Sequence, residues 1–247
     1  MLGDLMLVTP LPVTELTGIL IMAIWGANAG RPPTVPPSYL EQCRLLLNFQ
    51  QATLRDGMLV AEVKLFIGVH NQYATGHCLS CDSSSTYLAA WKAEWGHLLN
   101  FPTSGMLKLG YAAVELLLAR RTVEARKEAV DSDLLNPVLR SDYEEVDHFP
   151  SLSEAETTLY ESAQGLLRSF LSLTNIAKDE APEFYLNCLA YSILVLSKYD
   201  SEPDDPSQVK VLTLLESLDK FYRDSGKGSS AIEFGLDRAL ARYRVVT

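Results

Sequence analysis

From Asp56 to Tyr243, apolar side chains return at intervals of three and four residues, and no stretch sustains the period-two alternation of a half-buried strand. No Asn-Gly or Asp-Gly pair stands between two β-branched runs, so the usual hairpin signal is missing as well. That rhythm restricts the chain to an all-α architecture, an irregular bundle of eight or so helices read as one domain over residues 1–247.

The helices can be placed from their stripes and end signals. An apolar segment at about 13–27 closes on Gly30-Arg31-Pro32-Pro33, and a short helix at 38–48 puts Tyr39, Leu40, Cys43, Leu46 and Leu47 on one face. The next spans 56–73, with Leu59, Val63, Phe66, Ile67 and His70 as its buried stripe. Trp91, Trp95, Leu98 and Leu99 mark a helix over 86–99. A long one over 104–128 ends among Arg120, Arg121, Arg126 and Lys127, cations that suit the negative end of a helix dipole.

Ser151 with Glu154, or Ser153 with Glu156, spells a capping box for a helix reaching about residue 175. Pro182 opens an apolar helix that runs to Tyr199. Asp205-Pro206 reads as N-cap and first residue of the next, which carries Val209, Leu212, Leu215, Leu218 and Tyr222. A last helix covers 231–243.

The formal net charge is −10, which opposes binding to nucleic acid and to acidic membrane surfaces. Between Ser141 and Glu156 lie six acids and no Lys or Arg, so an acidic loop near 131–152 is either a solvated connection or a contact patch for a basic partner. Residues 1–29 raise the question of secretion, because Ala27-Asn28-Ala29 has the small-x-small spelling of a signal-peptidase site. Against it, 1–24 contains no Lys or Arg, carries Asp4 and Glu15, and is broken by Pro10 and Pro12. Its apolar core is also shorter than the roughly 20 residues of a membrane span. A buried helix with Ile21, Ile24 and Trp25 facing the core is the favoured reading.

Four cysteines do not make a disulfide scaffold, and Cys43 and Cys188 sit among apolar residues as small buried hydrophobes. Cys78-Leu-Ser-Cys81, beside His77 and with His70 or His97 as a further donor, has zinc-ligand spacing, but no second pair completes a site. It also lacks the strand-to-helix context of a redox motif, so a Ser-rich loop is the simpler reading and no residue is assigned to metal. No nucleophile elbow, His-Glu-x-x-His or Gly-rich phosphate loop is present, and Ser225–Ser230 lacks Walker spacing. His70, His77, His97 and His148 form no base–nucleophile grouping, so no catalytic or cofactor-binding residue is assigned. Tyr87, Trp91 and Trp95 are either a core stripe or the lining of a ligand pocket.

Four stretches in order resemble the C-terminal regulatory domain, or middle homology region, of fungal binuclear zinc-cluster transcription factors. They are Gly30–Pro33 after an apolar helix, Leu40–Phe66, the Trp-x-x-x-Trp helix Ala90–Leu99, and Ala181–Tyr199, which starts at Pro. The chain departs from that family in having four scattered cysteines in place of a tight basic cluster of six. It also lacks the Asp-Arg that often precedes the Gly-Arg-Pro turn.

The resemblance implies a nuclear regulatory domain that answers to a small-molecule effector or a protein co-regulator. DNA contact, zinc and any homodimer contact would then belong to a module that these residues do not contain. The competing reading is a secreted or membrane-associated helical protein using residues 1–29 as its signal.

Overall fold

The computed structural model describes residues 47, 52–74, 81–135, 152–198, 206–225 and 230–246. The expected helix at 13–27, that at 38–48 apart from Leu47, the Gly30–Pro33 turn, most of the acidic loop, and Cys43, His77, Cys78 and His148 lie outside them. Among the described residues there are eight α-helices, one 3-10 helix and no strand. They are α1 (Leu54–Ala74), α2 (Cys81–Trp95), the 3-10 turn Gly96–Asn100, α3 (Gly105–Leu135), α4 (Leu152–Leu171), α5 (Asn175–Asp179), α6 (Glu183–Lys198), α7 (Pro206–Ser225) and α8 (Ser230–Val246). The all-α expectation holds.

The helices divide between two compact units, each described by itself. The first takes α1, the end of α2 from Trp91, and the chain on to Leu107. Val60, Ala61, Val63, Leu65, Phe66 and Val69 of α1 are buried there with Trp91, Trp95 and Leu98. Leu59 and Ile67, placed in the stripe by sequence, are only half-buried. The reason is that α1 is apolar around most of its circumference, so spacing alone does not single out one face.

The second unit includes α3 from Lys108 onward and all of α4 to α8. There α4 packs on α6, α6 on α8, α8 on α7, and α7 on α4, so four helices close into a ring. Phe170, Leu166, Leu167, Leu189, Ile193, Leu196, Leu215 and Leu218 fill its centre. The ring of Phe170 meets that of Phe221 edge-on, with centroids 5.9 Å apart. Helices α6 and α8 run parallel, since Ile193 lies against Gly235 and, further along both, Ser197 meets Arg242. A Cβ added at Gly235 would sit 3.4 Å from Ile193 Cγ2, in ordinary van der Waals contact.

Several ends differ from the sequence reading for local reasons. The cations of α3 do not sit at its C-terminus, because the helix continues to Leu135 and the dipole acts only over the last turn. Arg120 instead bonds Glu124 at 2.7 Å and lies 5.1 Å from the centre of the Tyr191 ring, while Lys127 reaches Glu156 at 3.7 Å. Ser153 lies inside α4, where its carbonyl accepts from the Thr157 hydroxyl at 2.9 Å, so the Ser153–Glu156 box is not the cap. That helix ends at Leu171, and Thr174 caps the separate α5 by accepting from the Ala177 amide at 3.3 Å.

Candidate functional site

The start of α1 is fixed by a reciprocal cap. Thr53 donates its amide and hydroxyl to Asp56 Oδ2 at 2.8 and 2.7 Å, and the Asp56 amide donates back to Thr53 Oγ1 at 3.4 Å. The Thr53 hydroxyl, then its amide, hold the Asp56 carboxyl below the usual carboxylate range, with Arg55 adding to the effect.

The start of α3 is made differently. Phe101-Pro102-Thr103-Ser104 forms a turn closed by the Ser104 amide on the Phe101 carbonyl at 3.1 Å, with Pro at its second position. Ser104 is fully buried and its hydroxyl points backwards, 2.9 Å from the Leu99 carbonyl and 2.7 Å from that of Phe101. It therefore does not cap the first amides of α3, where a serine before a helix ordinarily would.

These two helix starts border one cavity of about 900 Å³. Its apolar lining is Leu54, Met58, Leu59, Met106 and Leu107, and its polar groups are Thr53, Arg55, Asp56, Glu62 and Thr103. The size suits a small organic ligand, and the composition, apolar with a few convergent polar groups, is that of ligand sites. All ten residues belong to the first unit.

The aromatic pair singled out by sequence is core. Trp91 is buried and donates its indole N–H to the Ala61 carbonyl at 2.9 Å. Trp95 is buried with Lys64 over its ring at 5.1 Å, and Lys64 pairs with Glu94 at 3.0 Å. Neither lines the cavity; Tyr87 is half-buried on α2. Sequence reasoning missed the cavity because its walls lie some 50 residues apart, at Thr53 and Thr103. The two helix-start signals, Thr-x-x-Asp and Pro-x-Ser-Gly, were there to be read, but not their meeting in space.

The other candidates are dispersed. His97 is exposed on the 3-10 turn, His70 lies on α1 and Cys81 opens α2. Among the described residues no group of His, Cys, Asp or Glu could hold a metal ion. Cys188 is buried and free, and burial pushes its thiol up to about 12, which keeps it protonated and unreactive. No helix among the described residues is long and apolar enough to cross a membrane.

Comparison with known proteins places this arrangement. A protein of Aspergillus clavatus described as "Transcriptional activator of proteases prtT" is 32% identical over 112 residues, covering 45% of this chain and 18% of that protein. A Penicillium rubens protein of the same description is 31% identical over 109 residues, 44% of this chain and 17% of its own length. The Aspergillus niger counterpart is 27% identical over 107 residues, covering 42% and 17%. The chain thus matches less than a fifth of the length of these relatives. No solved structure matches.

Of the four stretches that carry the resemblance, Gly30–Pro33, Leu40–Phe66 and Ala90–Leu99 fall within residues 25–149, which a family model matches, and Ala181–Tyr199 falls outside them; the match points to the same kind of protein, a fungal transcription factor's middle regulatory domain. The model of the family described as the middle domain of the transcriptional activator of proteases prtT matches residues 25–149, just over half of the chain and the whole of the cavity, and the chain belongs to that family.

Proposed function

We propose that this chain is the regulatory domain of a fungal transcriptional activator of protease genes, working in the nucleus through a DNA-binding module outside these 247 residues. The observation that carries this reading is the family match over residues 25–149, which includes α1, α2 and α3. The net charge of −10 supports a domain that acts on protein or small-molecule partners and leaves DNA contact and zinc to another module.

Regulation of this kind needs two arrangements of similar energy and a ligand or partner that favours one of them. The domain restrains the activation function until such a partner arrives. Disrupting the gene in its fungal host and quantifying protease-gene transcripts tests the reading. Transcripts should fall under conditions that normally induce proteases; unchanged levels would overturn it.

A further inference from the structure

We propose that the outer side of the α6–α8 pair docks a protein segment that interleaves acidic residues with Leu or Phe. The two parallel helices touch through Ile193 and Gly235. One residue turns a helix by about 100°, so Leu194, one step after Ile193, and Phe234, one step before Gly235, swing to the same side. Ser192 and Leu236, on the opposite steps, are buried, so the side that carries Leu194 and Phe234 faces away from the centre of the ring. Both are large apolar side chains left in water, Leu194 at 49% and Phe234 at 69% exposure. Ala241, two turns on from Phe234, extends the stripe and is exposed as well.

This side is cationic in a chain whose net charge is −10. Lys198 stands one turn beyond Leu194, and Arg238 one turn beyond Phe234. Both are exposed, and neither is in an ion pair with a described residue. Arg242 lies on the seam, its guanidinium held by the Ser197 carbonyl. The acids of α8 are turned off this side. Glu233 and Asp237 stand two residues before and after Gly235, which places them opposite α6, and Asp237 acts on Arg223 of α7. Apolar anchors beside unpaired cations complement a segment of acids and large apolar residues, the composition of acidic activation segments. A second copy of the chain would set cations against cations. An extended anionic surface, membrane or nucleic acid, meets the field of the whole acidic chain. A short segment meets only the charges within a Debye length of about 10 Å.

Only the consequence of docking, restraint of an activation segment, rests on the regulatory reading; the docking itself does not, and the test reads binding alone. Fluorescence anisotropy on the full chain would use as probe a labelled peptide repeating Asp-Leu-Asp-Phe. In one control peptide Lys replaces Asp, and in the other Ser replaces Leu and Phe. The probe should bind at one saturable site at least about tenfold more tightly than either control, and more weakly as salt rises. Phe234→Ser and Arg238→Glu should each lower its affinity at least about tenfold and leave the thermal midpoint unchanged, because both side chains are exposed. Leu194→Ser is the second apolar variant, with the same expected loss. Ile176→Ser removes an exposed apolar side chain from α5 and should leave binding unchanged. Absence of saturable binding, equal binding of the lysine control, or binding that survives both Phe234→Ser and Arg238→Glu would overturn the proposal. So would binding of the chain to phosphatidylserine vesicles in place of the peptide. None of these outcomes would touch the assignment of the chain to a transcriptional regulator.

Discussion

The Tyr243 hydroxyl of α8 donates to the Leu196 carbonyl of α6 at 3.0 Å, and the Tyr160 hydroxyl of α4 lies 3.4 Å from the Tyr243 hydroxyl. Since Tyr243 has one proton and gives it to Leu196, Tyr160 supplies the proton of the second bond. Next to it, the Arg242 guanidinium donates to the Ser197 carbonyl. Leu196 and Ser197 lie in the last turn of α6, whose carbonyls have no partner within their own helix. One end of α8 thus closes the end of α6 and brings a cation to the negative end of its dipole.

Tyr222 is the natural control. It is as buried as Tyr243, but its hydroxyl has no hydrogen-bond partner among the described residues. Tyr243→Phe should cost about 1–2 kcal/mol, because the Leu196 carbonyl and the Tyr160 hydroxyl both lose a bond. Tyr222→Phe removes an unsatisfied buried group and should be neutral or stabilising by up to about 1 kcal/mol. Urea unfolding of the two variants separates them; equal destabilisation would contradict these assignments.

Alkaline pH should weaken the fold in a defined window. Burial pushes the phenol of Tyr222 up to about 12, and burial together with Glu115 does the same for Tyr111. Below pH 10 both states keep these protons, so ionisation changes nothing. Between about 10 and about 12 the unfolded chain releases them and the folded chain holds them, so stability falls as pH rises. Denaturation midpoints measured across that range should decline, and the decline should be smaller in Tyr222→Phe.

Gly165 sits inside α4 with open space where a Cβ would stand. Gly165→Ala should therefore stabilise by about 0.5–1 kcal/mol through lower backbone entropy in the unfolded state. A drop in the urea midpoint would mean that this part of α4 packs more closely than described.

The chain alone should show no sequence-specific DNA binding. In a gel-shift assay at about 100–200 mM salt, where weak phosphate contacts are screened, no retarded band is expected. A sequence-dependent complex would contradict the division of labour proposed here.

Much of this fold was legible because long apolar helices announce themselves. Of the stripe Trp91, Trp95, Leu98 and Leu99, the first three are buried and Leu99 is half-buried, and Pro206 is the first helical residue that its Asp-Pro pair signals. What escaped reading depended on competition between local signals. Thr53 was overlooked because Asp56 is itself a good N-cap type, yet Asp56 occupies the third position and bonds back to Thr53. The break after Leu171 was missed because Leu173 and Ile176 prolong the apolar pattern, although Thr174 caps anew and Ile176 stays exposed. The cavity was invisible for a different reason. It depends on which two helix starts meet, and that is settled by packing between residues far apart in sequence.

The central claim, that this chain is a folded domain restraining a transcriptional activator, is tested most directly by its effect in a fusion. The full chain would be placed between a heterologous DNA-binding module and an activation segment, and reporter output compared with that of the same fusion lacking it. Phe170, fully buried at the centre of the four-helix ring, supplies the unfolding control, since Phe170→Ala should cost about 3–5 kcal/mol. The account predicts output several-fold lower with the chain than without it, and recovery of output with Phe170→Ala. Equal output with and without the intact chain would contradict it.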